Sequence, residues 1–212
     1  MGGGTLESAL RDGSADPDLR LIETMRWDGA AVPRLALHQA RLARSAAALG
    51  WPAPDPRAMQ ELLSDLPATP LRLRLTLAAS GAMQVQTAAL PATRPLWRVR
   101  LHPEPLRSDD PWLRVKSTRR AAYDRARSAL PKGLDEWLFV NERGELAEGT
   151  ITTIFFDRGR GLRTPPLSSG CLPGVLRAEL AVPEEVLPVQ DLGRVRLWVG
   201  NALRGLIPAA LC

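Results

Sequence analysis

The sequence predicts a mixed α/β (α+β) chain of two domains, and three observations carry that expectation. A length of 212 residues with 45% hydrophobic content suffices for one large core or for two smaller ones that share it. The apolar period also changes along the chain. Leu35, Leu42, Ala46 and Leu49 recur at helical spacing before a stop at Gly50, whereas Leu71, Leu73, Leu75 and Leu77 alternate with Arg72, Arg74 and Thr76 as a half-buried strand does. Finally, Leu90-Pro91-Ala92-Thr93-Arg94-Pro95 has the composition of a linker.

Taken in order, residues 1–18 are rich in Gly, Ser and Asp and read as a loose N-terminal arm. A small α/β domain follows over 19–90. It opens with a strand over 19–27, the turn pair Asp28-Gly29 and a return strand to Leu35, which together make a hairpin. Helices over 36–49 and 56–66 come next, then strands at 71–77 and 83–89 turned at Ser80-Gly81. Residues 91–95 are the linker, and 96–212 form the larger domain. There a strand over 96–101 leads to Pro111 and to Lys116, after which Ser117 or Thr118 caps a helix running to about residue 130. Strands at 136–141 and 150–156 flank a bend that contains Glu148. A helix opens at Pro173-Gly174, and strands at 196–199 and 206–211 close the domain.

Composition excludes several function classes. A net charge of +5 and a pI near 10.2 suit a nucleic-acid binder, yet the cations are dispersed and no basic tail or aromatic platform accompanies them. His38 and His102 are the only histidines and stand far from cysteine, so a metal centre has no ligand supply. Cys171 and Cys212 are the only cysteines and are expected as free thiols. No apolar run reaches the roughly 18 to 20 residues of a membrane span, and the first residues lack a basic head and apolar stretch. A cytoplasmic location is the expectation.

The strongest chemical signal is a bias in the basic residues. Of 28, only Lys116 and Lys132 are lysine, leaving 26 arginines. Arginine replaces lysine at most solvated positions but forms no imine, because its guanidinium lacks a usable amine lone pair. Lys132 sits in Pro131-Lys132-Gly133, a turn or helix end where a cation is simply solvated. That leaves Lys116 as the candidate nucleophile, with an ordinary ion pair as the structural alternative. A pyridoxal-phosphate site needs such a lysine, a carboxylate for the pyridine nitrogen and donors for the phosphate. Glu148 can be the carboxylate, Arg41 a phosphate fork, and the helix opening at Gly174 a source of backbone amides. Each of these alone is more often a solvated acid, a surface cation or a plain helix start.

Seven segments in order resemble the class IV aminotransferase family: Leu21-Ile22-Glu23-Thr24-Met25-Arg26, His38-Gln39-Ala40-Arg41-Leu42, Lys116-Ser117-Thr118-Arg119, Asn141-Glu142-Arg143-Gly144-Glu145, Glu148-Gly149-Thr150-Ile151, Leu172-Pro173-Gly174-Val175-Leu176-Arg177 and Gly200-Asn201-Ala202-Leu203-Arg204-Gly205. Within that family the chain is most similar to the 4-amino-4-deoxychorismate lyases, whose compact forms follow the lysine with a tyrosine such as Tyr123. The resemblance implies a two-domain fold with pyridoxal 5'-phosphate held between the domains, a homodimer, and aminodeoxychorismate synthase as a functional partner. It assigns Lys116 to the cofactor carbonyl, Glu148 to the pyridine nitrogen and Arg41 to the phosphate. Gly174, Val175 and Leu176 would offer amides to the phosphate, with Asn201 and Ala202 beside it, and Tyr123 would be a further cofactor-binding residue. Leu176 and Thr153 depart from the Thr and Asn common at those positions. The implied reaction converts aminodeoxychorismate to 4-aminobenzoate and pyruvate. Its alternatives are a transaminase for branched-chain or D-amino acids and a non-catalytic binding protein that keeps the fold.

Overall fold

The computed structural model describes residues 3–212, with side chains from Ser8 onward, as a mixed α+β chain. It divides into two compact units: one takes the residues up to Ala92 together with Val115–Arg119, the other Thr93–Arg114 with Arg120–Cys212. Val115–Arg119 thus groups with the first unit rather than with the residues on either side of it. Among the described residues no helix is long and apolar enough to cross a membrane.

In the first unit, strands β1 (Leu21–Trp27), β2 (Leu71–Leu77) and β3 (Met83–Ala89) form an antiparallel sheet in that order. Leu21, Glu23 and Met25 lie opposite Leu77, Leu75 and Leu73, and because strand side chains alternate, these six share one face. Its five apolar members are fully buried. Helix α2 (Leu35–Ala48) packs on β1 with Leu42 and Ala46 buried. Helix α3 (Pro56–Ser64) adds Met59 and Leu63; Pro56 opens it, and Asp55 caps it by accepting from the Arg57 amide at 2.9 Å.

Two expectations fail in this unit. The Gly-rich start is not a loose arm over its described part: Gly3–Gly13 form helix α1, which packs on α2 with Leu10 buried. One inward leucine anchors a segment whose composition otherwise suggests a coil. Residues 1 and 2 of the expected arm lie outside the described residues. The return strand after Asp28-Gly29 does not form either. Asp28 Oδ1 accepts from the amides of Ala30 and Ala31 at 2.9 and 2.8 Å, closing a side-chain turn. Pro33 brings no amide for a ladder, and the chain enters α2 through Arg34 at φ 66°.

The second unit is a closed barrel of β4 (Trp97–Leu101), β5 (Glu136–Val140), β6 (Leu146–Gly149), β7 (Thr153–Asp157), β8 (Arg196–Asn201) and β9 (Gly205–Leu211). Parallel pairing of β4 with both β5 and β9 closes it. Val99, Leu138, Leu146, Ile154, Phe156, Val199 and Ile207 fill the interior. Alternation on β5 sends Trp137 and Phe139 the other way, where they pack with Ala126 and Tyr123 of helix α4 (Ala121–Ser128). Helix α5 (Val175–Leu180) packs on β8.

Candidate active site

Lys116 belongs to a short segment that extends the sheet of the first unit. Its carbonyl accepts from the Ile22 amide at 2.8 Å, and the Thr118 amide donates to the Arg20 carbonyl at 2.9 Å. Ser117 bridges Leu21. The half-buried lysine is therefore fixed through its backbone to the edge of β1. This geometry corrects the expected helix cap. The Thr118 hydroxyl accepts from the Arg20 amide at 2.9 Å and the Ser117 hydroxyl from the Arg119 amide at 3.3 Å. With both committed to the extended segment, α4 begins only at Ala121, without a side-chain cap.

Arg41 is buried, not a surface helix cation, and its forked face is already engaged. Nε and Nη2 donate to Glu23 Oε1 and Oε2 at 2.8 and 2.5 Å, and His38 Nδ1 lies 2.6 Å from Oε2. The bidentate face expected to meet phosphate is thus taken by Glu23, because β1 presents that carboxylate to the face of α2 carrying both His38 and Arg41. Burial pushes the Glu23 carboxyl up, but Arg41 and His38 outweigh it and hold it below the usual range. Glu23 and His38 were not singled out in the sequence as partners. The available signal was an acid at an inward position of an apolar strand, paired with a helix positioning His38 and Arg41 three residues apart.

In the second unit the expected residues converge. Glu148 lies within β6 rather than in a bend, opposite Thr153 of β7, and Thr153 lies opposite Gly200 of β8. One row across three strands therefore carries Glu148, Thr153 and Gly200. The start of α5 lies over the same row: a Cβ on Gly174 would come 2.8 Å from Thr153 Oγ1, and one on Gly200 would come 2.7 Å from Leu176 Cδ2. Val175 and Leu176 are buried, and Gly174 gives the helix no side-chain cap. Asn201 Oδ1 accepts from the amides of Leu203 and Arg204, and its Nδ2 donates to the Ile151 carbonyl at 3.1 Å. It ties the β8–β9 turn, with buried Ala202, to the turn after β6.

Glu148 is itself buried. Oε1 accepts from the Tyr123 hydroxyl at 2.5 Å and Oε2 from the Leu172 amide at 2.9 Å. Burial, and then the negative Glu148, push the Tyr123 hydroxyl well above its ordinary value. The same two causes push the buried Cys171 thiol up to about 12, so it stays protonated and is no nucleophile. Cys212 is the other free thiol.

The bend that follows Glu148 is held by a carboxylate that the sequence did not single out. Glu136 is fully buried and accepts from the Thr150 hydroxyl, the Thr152 hydroxyl at 3.0 Å, and the amides of Thr150 and Ile151 at 3.1 and 3.2 Å. Four further motif residues bond within the fold. Arg143 and Asn141 bind Glu145, which also accepts from Ser169. Arg177 donates to Thr164, the Pro165 carbonyl and Glu184.

Residues 20–212 match the family Amino-transferase class IV, and the chain belongs to that family. A solved structure named as a candidate amino-acid aminotransferase from Mesorhizobium loti is 45% identical, with a TM-score of 0.86 over 92% of this chain and 100% of that one. The aminodeoxychorismate lyase of Bacillus subtilis (strain 168) is 31% identical over 83 residues, which is 34% of this chain and only 28% of that protein. A solved structure named as a candidate 4-amino-4-deoxychorismate lyase is 26% identical, with a TM-score of 0.76 over 90% of this chain and 83% of that one.

Proposed function

We propose that the protein is a pyridoxal 5'-phosphate enzyme that converts 4-amino-4-deoxychorismate to 4-aminobenzoate and pyruvate. The observation that carries the cofactor reading is the row of Glu148, Thr153 and Gly200 beneath the start of α5. It combines a buried, hydrogen-bonded carboxylate with an uncapped helix start at which Gly174 leaves no room for a side chain, a donor set that fits a cationic ring nitrogen and a phosphate. The similarity to the Bacillus lyase supports the choice of elimination.

When bound, the cofactor supplies an electron sink for the carbon that bears the substrate amine. The roles of the chain's own residues follow. Lys116 would hold the cofactor through its side-chain amine, and that amine, when free, would take the proton from the amine-bearing ring carbon. Its backbone bonds to β1 keep that amine on a rigid sheet edge. Glu148 would face the ring nitrogen and favour its protonated form. The amides of Val175 and Leu176 would bind the phosphate, with Asn201 and Ala202 beside it and Arg41 as a further phosphate ligand. Departure of the enolpyruvyl oxygen with its electron pair then makes the substrate ring aromatic, and the enol released becomes pyruvate.

A second reading, transamination of an amino acid, draws support from the likeness to the Mesorhizobium structure. Product analysis separates the two. Purified protein given the cofactor and aminodeoxychorismate alone is expected to release pyruvate and 4-aminobenzoate in equal amounts. Turnover that requires a 2-oxo acid acceptor would overturn elimination in favour of transamination.

A further inference from the structure

We propose that Tyr123 is a positioning residue for Glu148, its hydroxyl fixing the carboxylate that the reading above assigns to the cofactor's ring nitrogen. This role rests on that reading, but the contact it describes can be measured without cofactor.

Two separate elements grip the carboxylate. From α4 the Tyr123 hydroxyl donates to Oε1 at 2.5 Å, and from the loop before α5 the Leu172 amide donates to Oε2 at 2.9 Å. The phenol is itself held. Its ring meets Phe139 edge-on at 5.2 Å, and the Arg120 guanidinium lies 5.6 Å from its centroid. Arg120 also donates to the Thr150 carbonyl at 3.0 Å, so the start of α4 is tied to the turn that follows Glu148. A phenol orients a carboxylate without supplying a counter-charge, which is what a group required to attract a pyridinium calls for. Burial and the adjacent negative charge raise the hydroxyl far above 10, so it stays a donor over the whole physiological range.

Tyr123 is the sole tyrosine of the chain, so near-ultraviolet tyrosinate absorbance reports on this hydroxyl alone. In cofactor-free protein the expected titration lies well above pH 10, and Glu148→Gln, which keeps an acceptor but removes the charge, moves it down toward the ordinary value of 10. Glu148→Asp, which keeps the charge on a shorter stem, is expected to move it down as well. Curves that coincide near pH 10 for wild type and both variants would overturn the contact. In the holoenzyme, Tyr123→Phe is expected to weaken pyridoxal-phosphate binding roughly tenfold and to shift the pH dependence of the bound cofactor's visible absorption, with the melting temperature little changed. A Phe variant whose bound-cofactor spectrum responds to pH as the wild type does would reduce Tyr123 to a packing residue. Wild-type protein that takes up no cofactor would overturn the functional reading and the role with it, while the titration would still report the pair.

Discussion

The two units bury carboxylates in different company. In the first, Glu23 faces charged or chargeable groups, a forked Arg41 and His38. In the second, Glu136 accepts chiefly from threonine hydroxyls and backbone amides, with the Arg127 guanidinium farther off at 3.3 Å, and Glu148 accepts from a phenol and an amide. A forked guanidinium offsets a carboxylate's field directly, whereas a phenol or an amide orients the carboxylate and adds no counter-charge of its own to the field that Glu148 sets up. That field reaches both Tyr123 and Cys171.

The contrast can be broken by substitution. Glu23→Ala strands a buried guanidinium and is expected to cost about 3–5 kcal/mol in chemical denaturation; a loss below about 1 kcal/mol would show the pair to be dispensable. Glu136→Gln keeps one acceptor oxygen but turns an amide group toward donors, and about 1–3 kcal/mol is expected. If Glu136→Gln proves costlier than Glu23→Ala, the ordering that puts the forked Arg41–Glu23 pair first fails. Gly174→Ala should weaken pyridoxal-phosphate binding several-fold by equilibrium titration, because the added Cβ must displace Thr153 Oγ1; unchanged affinity would remove that row from the phosphate site. The smallest effect concerns Glu145, whose carboxyl is drawn down to about 2, chiefly by Arg143. A depressed carboxyl stabilises the fold above its unfolded value of 4.5, and that contribution is lost as pH falls toward 2. Melting temperature should therefore drop across that window, and drop less steeply in Glu145→Gln; parallel curves would show that Glu145 has no part in it.

The sequence reached some of this and missed the rest for identifiable reasons. The strand over β2 was legible because it buries one face, so its leucines alternate. β6 was not: all four residues are buried, so no alternation marks them and Glu148 reads as part of a bend. The hairpin at Asp28-Gly29 failed because β1 takes its partners from β2, some fifty residues on, and from the segment around Lys116. Barrel closure by β4 and β9 is likewise a pairing across the whole unit, without local trace. The candidate site residues of the second unit lie in ordered motifs; the groups around them, Glu136 and the Tyr123 bond to Glu148, depend on contacts between residues about 14 and 25 apart that no spacing rule reveals.

The central claim is that Lys116 carries the cofactor, and reductive trapping tests it most directly. Purified protein mixed with pyridoxal 5'-phosphate should develop a visible band at roughly 410 to 430 nm. Borohydride should then fix the cofactor's mass to a single peptide. With only Lys116 and Lys132 as lysines, digestion assigns the label without ambiguity. The expected result is label on Lys116, and no band in Lys116→Ala. Label on Lys132, or a band that survives Lys116→Ala, would contradict it.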